Sequence, residues 1–293
     1  MPWPFFVAGT HCTQPRMPLM MKPLLTLACL MLAACTSLPT PMTRRDTADA
    51  LAARQGWQRV TLPAGAFELA TYVPEADKTG GALTVYVEGD GFAWLSPSQP
   101  SADPTPIDPV GLKLALAHPA GNAAYLARPC QFADAERAGC SARYWTGQRF
   151  APEVIAAEDR ALDALKARFQ ASRLTLVGYS GGGAVAALLA ARRSDVARLV
   201  TVAGNLDPAA WARHHHVLPL TGSLNPPDAI GALQGISQWH FVGGRDAVVP
   251  PALAESFANR FPVDRRPVVR IEPEYDHACC WVENWPRLMQ EIR

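Results

Sequence analysis

Short apolar, β-branched runs alternate along this chain with longer stretches in which apolar residues recur at helical spacing. "QRVTLPAG" (58–65) and "FELATYVP" (67–74) read as consecutive strands bounded by proline and glycine. "GALTVYVEGDG" (81–91) holds a strand that is apolar or β-branched from Leu83 to Val87. "IDPVGLKLALAHP" (107–119) has helical spacing, and "NAAYLARP" (122–129) is strand-like. The clearest amphipathic helix is "APEVIAAEDRALDALKARF" (151–169), with Val154, Ile155, Leu162, Leu165 and Phe169 largely on one face. Strand "RLTLVGYS" (173–180) then runs straight into helix "GGAVAALLAARR" (182–193). Strand "VARLVTVAGNL" (196–206), a proline-broken stretch over 207–235, strand "SQWHFVGGRD" (237–246) and helix "PPALAESFANRF" (250–261) follow. Strand "RPVVRIEPE" (266–274) and helix "CCWVENWPRLMQEIR" (279–293) close the chain. Strands apolar on both faces that alternate with helices predict a mostly parallel sheet with helices on both faces. The opening pair, with no helix between, predicts an antiparallel edge. The pattern gives a single α/β domain over 57–293.

Composition narrows the function classes. With 293 residues, 49% hydrophobic and 18% charged, the composition is globular, with enough chain for one large domain or two small ones. Its 27 basic and 26 acidic residues leave a net charge of +1 and no basic stripe. Nucleic acid is therefore not an expected partner.

The amphipathic pattern stops at the N-terminus. "MKPLLTLACLMLAAC" carries Lys22, an apolar run from Leu24 to Ala34 and then Cys35. A run of 11 residues is too short for a membrane span, which takes about 20, and reads as a secretory signal. Its end, "LAAC", resembles the bacterial lipobox. That resemblance implies cleavage before Cys35, lipidation of that cysteine and, since residue 36 is threonine, sorting to the Gram-negative outer membrane with the body facing the periplasm. Residues 1–20 lack the order of a signal, so translation is expected to start at Met20 or Met21. The division is then 1–20 untranslated, 21–34 signal peptide and 35–56 a polar tether with about one helical turn. The only expected membrane contact is the lipid anchor.

Beyond Cys12, Cys29 and Cys35, four cysteines remain: Cys130, Cys140, Cys279 and Cys280. An exported protein keeps disulfides, and Cys130 with Cys140 flanks a short polar segment, the favoured pair, worth about 2–3 kcal/mol. A bond between adjacent Cys279 and Cys280 would be strained, so pairing elsewhere and free thiols stay open. No metal site is expected, because CxxC pairs and spaced His/Cys sets are lacking. No cofactor is expected either.

The candidate chemistry lies at the junction of 173–180 and 182–193. Gly178-Tyr179-Ser180-Gly181-Gly182 fits G-x-S-x-G, with a strand before and a helix after. The serine of such a turn is strained, and the residues two before and two after it must lack colliding side chains. From about Trp57 onward the chain resembles an α/β-hydrolase. In that family the order is nucleophile, acid, histidine, and the resemblance implies Ser180, then Asp246 at 66 residues' distance, then His277 a further 31 on. Asp207, at the end of the preceding strand, is the competing acid, while Asp276 is badly placed to reach its neighbour's far nitrogen. Among the other histidines, His118 is in a loop, His214, His215 and His216 form a solvated or cap-facing run, and His240 is a core residue. The resemblance further implies an oxyanion hole from the amide of Gly181 and one from "VEGDGFAW". Similar enzymes often carry His-Gly there; this chain has Glu88-Gly89, so the second donor stays open between Asp90 and Gly91. Phe92, Trp94, Tyr179 and Trp281 are candidates to line the pocket. A cap over 207–235 would be small. The expected function is a serine hydrolase working through an acyl-enzyme on a small acyl substrate, a carboxylic ester first. A peptidase, a thioesterase and a non-catalytic envelope lipoprotein of the same fold are the alternatives. Oligomeric state is not legible.

Overall fold

A computed structural model describes residues 38–75, 79–133 and 139–292. The expected signal peptide, the start at Met20 or Met21 and Cys35 lie outside the described residues. The chain divides at Thr40, and the folded unit is Pro41–Arg293.

In chain order its elements are α1 (Pro41–Ala53), β1 (Trp57–Ala64), β2 (Phe67–Pro74), β3 (Ala82–Val87), α2 (Val110–Leu116), β4 (Asn122–Leu126), α3 (Pro152–Phe169), β5 (Arg173–Tyr179), α4 (Gly181–Arg192), β6 (Val196–Val202), α5 (Pro208–His214), α6 (Ile230–Leu233), β7 (Ser237–Gly243), α7 (Pro251–Ala258), β8 (Val268–Glu272) and α8 (Trp281–Glu291). A two-stranded ribbon, Trp94–Ser96 with Gln99–Pro100, follows β3. The eight strands form one sheet in the order β1-β2-β4-β3-β5-β6-β7-β8. β1 and β2 are antiparallel, β2 meets β4 antiparallel, and every other pairing is parallel. The antiparallel edge is where the missing helix predicts it.

The sheet is buried on both faces because its strands alternate between two apolar layers. Leu83, Val85, Val87, Leu174 and Leu176 pack with Val154, Ile155, Leu162, Leu165 and Phe169 of α3 and with most of α4. Tyr86, Val177, Val200, Val202 and Phe241 pack on the other side with α2 and with Trp281, Trp285 and Leu288 of α8. Helix α3 starts with proline at its first turn, carries Glu153 there and Lys166 and Arg168 in its last turn, and ends at Gln170 in the left-handed region. Helix α4 is made of glycine, alanine and other apolar residues, buried from Gly181 to Ala190, and so can lie close to the sheet.

One boundary needs correction. The expected tether over 35–56 contains the 13-residue helix α1, so the folded unit starts at Pro41 rather than Trp57. Arg44, Ala48 and Ala52, spaced by four, form its buried stripe. The alanines join the α2/α8 layer, and Asp49 accepts from the Tyr72 hydroxyl at 2.7 Å. Arg44 pairs with Asp103 at 3.5 Å, donates to the Thr105 carbonyl and lies over the Phe92 ring. A stripe of two alanines and a charged residue gives almost no apolar signal, and the partners of Arg44 lie far along the chain, at Phe92, Asp103 and Thr105.

The segment between β6 and β7 holds α5, a 3₁₀ turn at Pro226–Ala229 and α6, a cap as small as its length implies. Among the described residues no helix is long and apolar enough to cross a membrane.

Candidate active site

Ser180 sits between β5 and α4 at φ 51°, ψ −122°, a conformation that a side-chain-bearing residue holds only when its surroundings impose it. Here the backbone is tied on three sides. The Ser180 amide donates to Val202 at 3.0 Å, and its carbonyl accepts from Gly183 and Asn205, both at 2.9 Å. The flanking glycines are required by close approach. A Cβ on Gly178 would strike the Gly182 carbonyl, and one on Gly182 would strike the carbonyls of Val87 and Glu88. The steric demand read from the pentapeptide is therefore met in space. Gly182 additionally seats the elbow on the end of β3.

Asp246 follows β7. Its Oδ1 accepts from the amides of Val248 and Val249 at 2.8 and 2.7 Å, which leaves Oδ2 for His277 Nδ1 at 2.8 Å. His277 Nε2 is 2.9 Å from Ser180 Oγ. The structure thus brings together the three residues singled out in the sequence. His277 is on the loop between β8 and α8, and its carbonyl accepts from the Tyr179 hydroxyl at 3.2 Å and from Trp281 Nε1 at 3.1 Å. Tyr179 and Trp281 therefore hold the histidine loop rather than form a pocket wall, and Trp281 is fully buried. Phe92 packs under Arg44, and Trp94 is on the exposed ribbon. Asp276 turns the same loop by accepting from the amides of Ala278 and Cys279. Gly243 and Gly244 let the aspartate loop run against this one, since a Cβ on either would lie 2.6 Å from a carbonyl of Tyr275 or Pro273. The "GG" before "RD" is a signal for that contact that the sequence reading leaves unused.

The competing acid is engaged elsewhere. Asp207 caps α5 through the Ala210 amide at 2.9 Å and pairs with Arg260 at 2.7 Å. His240 is buried in β7 with Nδ1 2.9 Å from Thr201 Oγ1 and, among the described residues, no partner at Nε2, and burial lowers its pKa to about 3. His118 meets the Tyr86 hydroxyl at 2.7 Å, and His215 donates to the Val248 carbonyl.

Opposite Gly181 lies the loop after β3. The Asp90 carboxylate rests on the Gly181 α-carbon so closely that any Cβ there would overlap it. Among the described residues no acceptor is found for the amides of Asp90, Gly91 and Gly181. Gly91, at φ 66°, turns its α-carbon onto the Pro104 carbonyl, and Phe92 donates to that same oxygen at 3.0 Å. Glu88 stands where similar enzymes often have histidine. It is buried and accepts from the amides of Gly89, Gly111 and Leu112 and from the Tyr125 hydroxyl, at 2.9 to 3.3 Å. Burial pushes its carboxyl up, against the pull of those four donors. It fastens the loop to the start of α2. Arg128 and Arg149 grip the Asp90 side chain and are also unmarked in the sequence reading.

Cys130 and Cys140 are joined, with α-carbons 5.6 Å apart, beside Ala93 and Trp145. Cys279 and Cys280, whose pairing the sequence leaves open, are joined to each other.

No protein-family model matches the sequence, and no curated protein matches it significantly. Solved structures do match. The esterase Pf2001 of Pyrococcus furiosus is similar at 15% identity over 80% of this chain and 91% of that one, with a TM-score of 0.54. Est1E of Butyrivibrio proteoclasticus, solved with ferulic acid, is similar at 12% identity over 80% and 98%, with a TM-score of 0.58. A Xanthomonas campestris protein described as an α/β serine hydrolase without a lid is similar at 15% identity over 80% and 94%, with a TM-score of 0.50. At these identities the likeness is one of fold: the chain has the α/β-hydrolase fold.

Proposed function

We propose that this α/β-hydrolase-fold protein is a serine hydrolase that cleaves carboxylic esters through an acyl-enzyme. The observation that carries this reading is the unbroken relay from Asp246 Oδ2 to His277 Nδ1 at 2.8 Å and from His277 Nε2 to Ser180 Oγ at 2.9 Å. A serine hydroxyl is a weak nucleophile at neutral pH and needs a base. With Nδ1–H donating to Asp246, Nε2 is free to take the Ser180 proton as Oγ attacks the acyl carbon. Asp246 stabilises the imidazolium, which then protonates the leaving alkoxide. A water activated by His277 releases the acyl group. We assign the developing oxyanion to the amides of Gly181 and Asp90, because Asp90 lies against Gly181 whereas Gly91 turns its α-carbon to Pro104.

The ester preference draws on the structural likeness to proteins described as esterases. The small cap fits an open site for a small acyl substrate. The leader reading extends the proposal: a lipid on Cys35 would hold the enzyme at the outer membrane, facing the periplasm.

Fluorophosphonate labelling of the purified mature protein, with Ser180→Ala alongside, tests the nucleophile. Labelling of the wild type alone is expected. Equal labelling of both, or none, would overturn the proposal and favour a non-catalytic lipoprotein. Rates on matched p-nitrophenyl esters, acyl thioesters and peptide anilides then rank ester against thioesterase and peptidase.

A further inference from the structure

Of the groups around Ser180, the least expected is a carboxylate, that of Asp90, pressed against the residue whose amide starts α4. A bare negative charge at this point opposes the one that develops on the substrate carbonyl. The structure does not leave it bare. Arg128 Nη1 lies 3.3 Å from Asp90 Oδ1, and Arg149 Nη1 lies 2.5 Å from Oδ2. Both guanidinium groups are buried, with side chains 5% and 8% exposed, against 20% for Asp90.

Neither arginine is loose. Arg128 donates through Nε to Glu158 at 2.9 Å and through Nη2 to the Arg149 carbonyl, and Arg149 donates through Nε to the Thr146 carbonyl at 2.8 Å. Glu158 is fully buried on α3. Gln131 closes the arrangement by accepting from the Arg128 amide at 3.1 Å and donating to the Gly89 carbonyl at 3.0 Å. Two guanidinium groups thus face two carboxylates, and of these Asp90 lies directly against Gly181, the first residue of α4. A planar fork fixed at both ends holds a carboxylate in place more firmly than a flexible ammonium would.

We propose that Arg128 and Arg149 are positioning residues for the hydrolase reaction: by gripping the Asp90 side chain from two sides they hold the Asp90 amide beside that of Gly181, so that both donors meet the same oxyanion. This inference rests on the serine-hydrolase reading above. Among the described residues neither arginine is hydrogen-bonded to Ser180, His277 or Asp246, and on this proposal they act through the loop.

The test is a kinetic double-mutant cycle on p-nitrophenyl butyrate with Arg149→Met, Arg149→Lys, Asp90→Ala and the Arg149→Met/Asp90→Ala double variant. kcat is expressed per fluorophosphonate-titratable site, and Tm is recorded for each. Losing one oxyanion donor outright costs about 100- to 1000-fold, so a donor displaced rather than removed should cost about 10- to 100-fold. Arg149→Met and Asp90→Ala are each expected to lower kcat by that factor with KM within about two-fold. Arg149→Lys should recover part of the loss, and the double variant should lose no more than the worse single one. An unchanged kcat per site with a lowered Tm would make the arginine merely structural and overturn the proposal, as would additive losses or a raised KM at unchanged kcat. Should Arg149→Met fail to fold, Asp90→Ala, altering a partly exposed side chain, decides the outcome by the same criteria. A wild type that takes no label refutes the hydrolase reading and the clamp with it, whereas a labelled wild type with unaffected variants refutes the clamp alone.

Discussion

The loops after β6 and β7 carry the two aspartates that could have served as the acid, and they differ in almost nothing that a list of properties would record. Their strands are adjacent, parallel and in register, with Thr201 opposite His240. Asp207 is 2% exposed and Asp246 is 3% exposed. Each spends Oδ1 on backbone amides two or three residues on, Asp207 on Ala210 of α5 and Asp246 on Val248 and Val249. The difference is confined to Oδ2, which meets Arg260 in one loop and His277 in the other. Burial and amide capping make a carboxylate rigid, and the partner at the second oxygen decides what the rigidity is used for. Beside a guanidinium it fixes a helix; beside an imidazole it orients a base.

The largest expected effect comes from breaking the second of these contacts. Asp246→Asn keeps the shape and loses the charge that orients His277, and kcat on a p-nitrophenyl ester should fall by about 10³- to 10⁴-fold. Thermal melting should move little. A loss under ten-fold, with Asp207→Asn inactive, would reverse the assignment.

His240 links the two strands and comes next. Its pKa is lowered by burial to about 3, against 6.5 when exposed, so between these values the unfolded chain takes up a proton that the folded chain refuses. The neutral histidine's contribution is present above pH 6.5 and is lost as pH falls toward 3. In urea unfolding at pH 7, 5.5 and 4, the stability difference between wild type and His240→Gln should shrink by on the order of 3 kcal/mol over that range. A constant difference would mean that this histidine does not titrate with folding.

Asp207→Asn should act on stability and not on chemistry. Losing a charged cap with a guanidinium partner costs about 1–2 kcal/mol, read from the urea midpoint, while kcat per labelled site stays within about three-fold of wild type. The smallest effect is that of Arg260→Met. Its side chain is 44% exposed, so the change should stay below about 1 kcal/mol and weaken further in high salt. An effect as large as that of Asp207→Asn would show that the ion pair, not the cap, holds this loop.

The sequence by itself determined the parts that depend on local physics. The alternation of short apolar runs with amphipathic stretches dictates a doubly covered parallel sheet, because each strand must hide both faces. The burial of Val154, Ile155, Leu162, Leu165 and Phe169 on α3 was readable from their spacing alone. Ser180 was readable because its strained turn admits so few neighbours that Gly178 and Gly182 are imposed on the chain within two residues of it. Asp246 and His277 were readable only through the resemblance to the α/β-hydrolases, whose order is nucleophile, acid, histidine with the last two in strand-end loops.

What only the tertiary structure decided are contacts between segments far apart in the chain. Whether Asp207 or Asp246 meets the histidine depends on where the β8–α8 loop lies. That the Asp90 side chain comes to lie against Gly181 depends on which way the loop after β3 turns against α4. Arg44, Arg128 and Arg149 leave no mark in the sequence, and the burial of Glu88 leaves none either, because each is a charged residue, the kind a pattern assigns to solvent. They are buried only because the fold brings a matching partner to them: Thr105, the start of α2, Glu158 and Asp90. A hydrophobic residue states its place through its neighbours in sequence, whereas a buried charge is explained only by the group it finds in space.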